Sequence, residues 1–376
     1  MQVLVLLRRQ LDVLEWKKRH HDGLAPDETP YGFHFAQSDD CNIVFSRPSG
    51  NSLVARIVQF LLGFDVLHTL KNWDLVNSAD IVWTATETDY LSVLFISWLQ
   101  RRKTPPKLIA QNIFIFNKWQ SLSRLHRILF KRLIKSASVL TVHSDKYISV
   151  IKSIVPDAQV RLLRFGVSAD SFPLTPFHEN RRSGPLRIVA AGNDRTRDWE
   201  SVFKAFGNDE RFDVTVATQN LKSGALRPYR NIRSPTIGSI AEFRECYRSA
   251  DFVVVPMLEN LYSGITVALE ATALGVPVIS SDTGGVPSYF AGDEVIFVPP
   301  GDPVALRQAA LNTDSNARRA MVLRAQRRFV RDDYTSAGLA QRYLALSREL
   351  LDEKGGAMPD HETSGAPARS SASLAD

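Results

Sequence analysis

Residues 260–287 read NLYSGITVALEATALGVPVISSDTGGVP, and both fold and chemistry turn on this stretch. A small turn, Ser263–Gly264, precedes an apolar run that carries one carboxylate, Glu270, and stops at Gly275 and Pro277. A glycine just past the run, then a proline that cannot continue it, ends a helix there. Its first turn offers the free N–H groups of Gly264, Ile265 and Thr266 at the positive end of the helix dipole, an arrangement that suits an anion. Gly264 lets a phosphate approach the backbone closely. Glu270 lies four residues past Thr266, about 6 Å along the axis, and helical side chains lean back toward the N-terminus. A diphosphate followed by a ribose fits this spacing, the acid accepting hydrogen bonds from two sugar hydroxyls. The plainer alternative is that Glu270 balances the dipole or pairs with a nearby base, at about 0.3–1 kcal/mol.

Working outward, short apolar runs alternate with helix-like segments along most of the chain. The first half contains VLVLL, ADIVWTAT, KLIAQNI and ASVLTVHS; the second contains LRIVAAG, FDVTVAT, ADFVVVP, VPVISSD and EVIFVPP. Strands apolar on both faces and separated by helices indicate parallel sheets covered on both sides. The expected class is α/β, with two Rossmann-like, doubly wound domains facing a cleft. The segment PLTPFHENRRSGP, 173–185, breaks the alternation and reads as the linker. The expected limits are 1–176 and 177–330 for the two domains, and 331–352 for a closing helical region with Leu339, Tyr343, Leu346 and Leu350 at helical spacing. Residues 353–376 form a small, polar, aperiodic tail expected to be disordered.

The 376 residues suit two domains, and a 44% hydrophobic fraction builds real cores. A net charge of +6 favours anionic partners such as nucleotides or acidic lipid. Cys41 and Cys246 fit no zinc or redox spacing, so a reduced compartment is expected. No Asp-x-Asp pair or His/Asp cluster with metal spacing stands out, so neither metal nor cofactor is expected. The start, MQVLVLLRRQ, puts its apolar run before its arginines, unlike a secretory signal. No other run reaches the roughly 20 residues of a span. The expected location is the cytoplasm or the inner face of its membrane.

LRIVAAGNDRTRDW opens the second half with a strand, Gly192 at its end, then Arg195 and Arg197. Guanidiniums at a strand's carboxyl end suit phosphate oxygens, although an RTR loop also reads as a solvated turn. The pieces SADIVWTATET, SASVLTVHS, VRLLRFGVSADSF, RIVAAGNDRTRDW, YRSADFVVVPMLE, YSGITVALEATALGVPVISSDTGGVP and EVIFVPPGDPVALRQA stand in one order over most of the chain. In that order they resemble the GT-B-fold glycosyltransferases like those of glycosyltransferase family 4, more closely in the second half than the first. The resemblance implies that Arg195 and Arg197 hold a donor diphosphate, with the Gly264, Ile265 and Thr266 amides assisting and Glu270 on the ribose. It implies retention of anomeric configuration and a closing helix that crosses back over the first domain. The family often has a second glutamate eight residues before the ribose-binding one; here Tyr262 stands there, with Glu259 three residues earlier. Its glycine-rich turn after the first strand is absent, and Tyr31 and Gly32 offer either a substitute loop near the acceptor or a surface turn.

For the acceptor side, the strand ends place Thr86, Glu87, Gln111 and Asn112 toward the cleft, Glu87 being the best acid for an acceptor hydroxyl were the reaction inverting. His143 resembles a strand-end core position. SRLHRILFKRLIK, 123–135, carries Leu125, Ile128, Leu129 and Leu133 on one face and Arg124, Arg127, Lys131 and Lys135 on another. It fits a helix lying on anionic lipid or one packed on the sheet with a solvated basic side. The expected function is transfer of a sugar from a nucleotide-diphosphate donor to a saccharide or lipid-linked saccharide, as in exopolysaccharide or cell-envelope assembly. A non-catalytic nucleotide-sugar-binding partner protein and a nucleotide-sugar epimerase are the alternatives. A nicotinamide dehydrogenase lacks its G-x-G-x-x-G here, and nucleic-acid binding rests on charge alone.

Overall fold

A computed structural model describes residues 1–50, 52–179 and 184–352. The chain builds two sheets of six strands, every pairing parallel. The first comprises β1 (Gln2–Leu6), β2 (Asn42–Phe45), β3 (Ile81–Thr84), β4 (Leu108–Gln111), β5 (Val139–Val142) and β6 (Val160–Leu162), in the order β2-β1-β3-β4-β5-β6. The second comprises β7 (Leu186–Ala191), β8 (Phe212–Ala217), β9 (Ile232–Arg233), β10 (Phe252–Val255), β11 (Val278–Ser281) and β12 (Ile296–Val298), ordered β12-β11-β10-β7-β8-β9. Residues 81–84, 108–111, 139–142, 252–255 and 278–281 are wholly buried, because helices cover both faces of each sheet. This is the α/β, GT-B-like arrangement expected from the alternating runs. The strands without a sequence expectation, β2, β6 and β9, are edge or near-terminal strands of two to four residues. They are short and none is buried along its whole length, so the run 43–45 of β2 is too brief to stand out.

Chain reversal sets where ligands can bind. In the second sheet the order changes direction between β7 and β10, and an open α/β sheet leaves its crevice at the carboxyl ends of such neighbours. The segment after β7 carries Gly192 to Arg197; the segment after β10 leads into the helix Ile265–Ala273.

The two domains are tied at two crossings. Val167 N donates to Tyr334 O at 3.0 Å and Ser336 N to Val167 O at 2.9 Å, forming a parallel bridge between the outgoing and returning chain. Gly166 is needed there, since a Cβ would lie 1.8 Å from the Thr335 carbonyl oxygen. The last helix, Ser336–Asp352, lies on the first domain: Trp83 Nε1 donates to Ser347 Oγ at 2.8 Å and Tyr343 OH to Gln111 Oε1 at 3.0 Å. Leu339, Tyr343, Leu346 and Leu350 are all buried in that contact. Residues 353–376 and the centre of the linker, 180–183, lie outside the described residues. Cys41 and Cys246 are both free thiols, and no helix among the described residues is long and apolar enough to cross a membrane.

Candidate functional site

The helix of residues 265–273 starts and stops for local reasons. Gly264 caps it with φ +92°, a left-handed conformation that only glycine adopts freely, and a Cβ there would meet Met257 Sδ at 2.6 Å. At the other end Gly275 N donates to Thr272 O at 3.1 Å and Val276 N to Ala271 O at 2.9 Å, with Gly275 at φ +73°. That is a Schellman stop, with Val276 and Ala271 sharing the core. No side chain caps the N-terminus, so its first N–H groups are left for a ligand or water.

Residues before the helix are held by groups that the sequence reading did not single out. Asn260 Oδ1 accepts from Tyr262 N at 3.0 Å and Ser263 N at 2.8 Å. Gly284 and Gly285, of the TGG turn, press on this loop, their would-be Cβ atoms lying 2.6 Å from Ser263 O and 2.3 Å from Ile265 Cδ1. The loops after β7 and β10 are zipped together: Leu258 N donates to Thr196 O at 2.8 Å, Asp198 N to Pro256 O at 3.1 Å, and Thr196 Oγ1 to Ser263 Oγ at 2.8 Å.

This zipper buries Arg197 at the mouth of the crevice. Gly192, at φ +138°, leaves the space its guanidinium fills; a Cβ would sit 2.0 Å from Arg197 Nε. Asp194 Oδ2 lies 2.9 Å from Arg197 Nε, but out of line with the N–H. Nε and Nη1 therefore remain buried with no hydrogen-bond acceptor. Burial draws the Arg197 pKa down, against the pull of Asp194. A buried cation with unmatched donors is costly unless something anionic completes it.

Glu270 stands on the same cavity. It is 8% exposed, and burial pushes its pKa up to about 8 despite the Tyr247 hydroxyl, which donates to Oε2 at 3.1 Å, and the positive Arg197 nearby. Burial thus favours its neutral form. A ligand whose hydroxyls donate to the carboxyl would favour the charged form instead.

The cavity between the two domains measures about 450 Å³ and is lined by Gly192, Arg197, Tyr262, Gly264, Ile265, Thr266, Glu270, Tyr31 and Gln111 from the expected site residues. A second space of about 660 Å³ adjoins it, sharing Asn193, Ala217, Phe243 and Glu270. Together they form a groove running past both sides of Glu270. Arg195 is exposed, two residues before Arg197, and does not line the cavity. Glu259 is also exposed outside it, accepting from Thr283 Oγ1 at 3.0 Å. Tyr262 packs edge-on against Phe114 of the first domain, with ring centroids 5.0 Å apart.

On the first-domain side, most of the expected polar residues are engaged within the fold. Thr86 caps the following helix with Asp89, forming a capping box. The Glu87 carboxylate accepts from Ile113 N at 3.2 Å and Phe114 N at 3.0 Å, so it braces the loop after β4. Asn112 Oδ1 accepts from Tyr90 OH at 2.6 Å. None of these three lines the cavity. Gln111 does, although its Oε1 accepts from both Thr141 and Tyr343. Gly32 lies under the last helix, where a Cβ would meet Ser336 Cβ at 2.7 Å, and this turn holds Tyr31 at φ 63°. His143 also lines the cavity; its Nδ1 is 2.7 Å from Leu163 O, and burial lowers its pKa to about 4, keeping the ring neutral.

Comparison with known proteins adds the following. The family described as Glycosyl transferases group 1 matches residues 187–315. D-inositol 3-phosphate glycosyltransferase of Salinispora tropica is 34% identical over 120 residues, 31% of this chain and 23% of that protein. The chain thus aligns with about a quarter of that relative's length. Among solved structures, sucrose-phosphate synthase of Thermosynechococcus elongatus superposes with a TM-score of 0.71 at 17% identity, over 94% of this chain and all of that one (100%). Anabaena HepE in complex with UDP-glucose superposes at 0.63 with 10% identity, covering 93% of this chain and 100% of the other. At such identities the likeness is one of fold.

Proposed function

Because residues 187–315 match the family described as Glycosyl transferases group 1, we propose that this chain transfers a sugar from a nucleotide-diphosphate donor to a hydroxyl of a saccharide or lipid-linked saccharide. The observation that carries the reading is Arg197: a buried guanidinium with unaccepted donors, lining one cavity with a free helix N-terminus. A diphosphate supplies the acceptor oxygens both lack. Glu270, further along the same helix, then meets the ribose, and the base extends into the adjoining groove beside Phe243 and Ala217.

In the reaction, negative charge grows on the departing diphosphate as the glycosidic bond breaks. Arg197 and the helix dipole are already oriented to stabilise it. That electrostatic help allows a metal-independent reaction. Among the described residues no carboxylate of the first domain lines the cavity as a nucleophile, since Glu87 is tied to the backbone of Ile113 and Phe114. Attack by the acceptor from the leaving group's own side, with retention, is the geometry this arrangement favours. Cell-envelope or exopolysaccharide assembly is the process we assign.

Thermal-shift titration with UDP-, GDP- and ADP-sugars tests the donor, and NMR of the product's anomeric proton tests retention. No stabilisation by any nucleotide sugar would end the proposal. A second reading, donor binding without turnover, is favoured by Tyr262, which fills the space toward Phe114 where the resemblance calls for an acid. It predicts the same stabilisation with no product from any acceptor.

A further inference from the structure

The helix Leu53–Leu62 is apolar on both sides, and only one side is covered. Ala55, Val58, Gln59 and Leu62 turn inward, while Leu53, Val54, Ile57, Phe60 and Leu61 are between 49% and 85% exposed. Positions 53, 54, 57, 60 and 61 recur at helical spacing, so they form one continuous outer stripe. Isolated exposed leucines are ordinary, but a contiguous stripe with a phenylalanine at 85% exposure is a binding surface. The helix of residues 124–134 lies beside it. His126 Nε2 is 2.9 Å from Leu61 O, and the left-handed Gly63 leaves room for Phe130, whose Cζ would be 2.9 Å from a Cβ there. That neighbour adds Leu125 and Ile128, 79% and 59% exposed, to the same side of the domain.

The segment that holds the neighbouring helix is strongly basic, although Lys135 pairs with Asp157 at 3.2 Å. From Tyr90 to Ser144 there is no Asp or Glu, but there are ten basic residues: Arg101, Arg102, Lys103, Lys107, Lys118, Arg124, Arg127, Lys131, Arg132 and Lys135. The helix of residues 53–62 carries Arg56 and no acid. Arg56 also lines a cleft of about 550 Å³ together with Arg8, Arg9, Asp65 and Asp89, where Asp65 pairs with Arg9 at 2.6 Å.

We propose that these two helices dock the first domain on a bilayer rich in anionic lipid. The apolar stripe enters the headgroup–acyl boundary while the flanking arginines and lysines meet lipid phosphates. An apolar surface beside a helix that carries Arg124, Arg127, Lys131 and Arg132 and no acid matches that boundary on both counts. A cytosolic protein partner would require acids opposite the rim, and a second copy of the chain would bring cations against cations. The proposal extends beyond sugar transfer and does not depend on it, since it is read without any donor.

The test is flotation of the purified chain with vesicles of phosphatidylcholine alone or with about a third phosphatidylglycerol, at low and high salt. The expected result is binding to the anionic vesicles, weakened by salt and at least about tenfold weaker on neutral ones. The pair Ile57→Asp with Phe60→Asp, and separately the set Arg124→Gln, Lys131→Gln and Arg132→Gln, should each reduce anionic binding by about tenfold or more. Melting temperature within about two degrees of the parent confirms that each variant is folded. No vesicle binding, or binding indifferent to both sets of changes, overturns the proposal. So does a dimer of the parent chain that the Asp variant splits, for then a second copy covers the stripe.

Discussion

Glu270→Gln isolates the electrostatics of the site in the ligand-free protein. The Glu270 carboxyl is raised from 4.5 to about 8 by burial, so between those values the folded state holds a proton that the unfolded chain has released. Folding stability must therefore fall as pH rises through that window, with a slope limited to about 1.4 kcal/mol per pH unit. Integrating the two titrations places a loss of about 2 kcal/mol between pH 6 and pH 8, and only about 0.4 kcal/mol more above pH 8 as the folded form finishes ionising. Glutamine keeps the shape and a hydrogen bond from Tyr247 but titrates nowhere. Equilibrium urea unfolding of parent and variant, from pH 5 to 9, gives the comparison. Other groups, including Asp89 at about 7 and His143 at about 4, contribute alike to both proteins and cancel in the difference. The difference should grow in favour of the glutamine form by about 2 kcal/mol from pH 6 to 8, a midpoint shift of several degrees in a thermal scan. Parallel curves would mean that Glu270 is solvated and ionised throughout, and its place in the site would have to be abandoned.

Further outcomes follow from the neighbours. Arg197→Met relieves the burial of a cation but unpairs Asp194, so the stability of the ligand-free protein should change by no more than about 1 kcal/mol, while calorimetric binding of a nucleotide diphosphate is lost. Gly192→Ala puts a methyl 2.0 Å from Arg197 Nε at φ +138°; binding should weaken by at least about tenfold, with about 1–3 kcal/mol lost in stability. Tyr247→Phe removes the hydroxyl donated to Glu270, which should cost about 1 kcal/mol and move the pH transition of the parent above its present position. Gly166→Ala drives a Cβ into the Thr335 carbonyl oxygen; hydrogen exchange should show the helix of residues 336–352 released from the first domain, with about 3 kcal/mol or more lost.

Much of the fold is legible in the chain because burial on both faces forces it. Each of the nine apolar runs read as strands lies in one of the two sheets. β2, β6 and β9 escaped notice because edge strands bury little and their hydrogen bonds are made on one side. The helix of residues 265–273 was readable from its ends, since Gly264, Gly275 and Pro277 act locally. Arg195 and Arg197 could not be told apart in sequence. Two residues of separation decide that one faces solvent and the other the cavity, and the pairing of residues 196–198 with 256–258 makes that choice. Glu87 and Asn112 look like free polar groups at strand ends. Their partners, the Ile113 and Phe114 amides and Tyr90, become visible only when the loops close.

The amino-acid sequence alone thus determined the nine buried strands, where the helix of residues 265–273 begins, and that an acid lies along it. Those properties depend on periodicity, backbone freedom and neighbours a few residues away. The tertiary structure decided which arginine is buried, that burial raises the Glu270 pKa, and that an apolar helix turns a second face to solvent. Each of these depends on what is excluded from water, and exclusion is a property of the packed chain that no short stretch of residues carries.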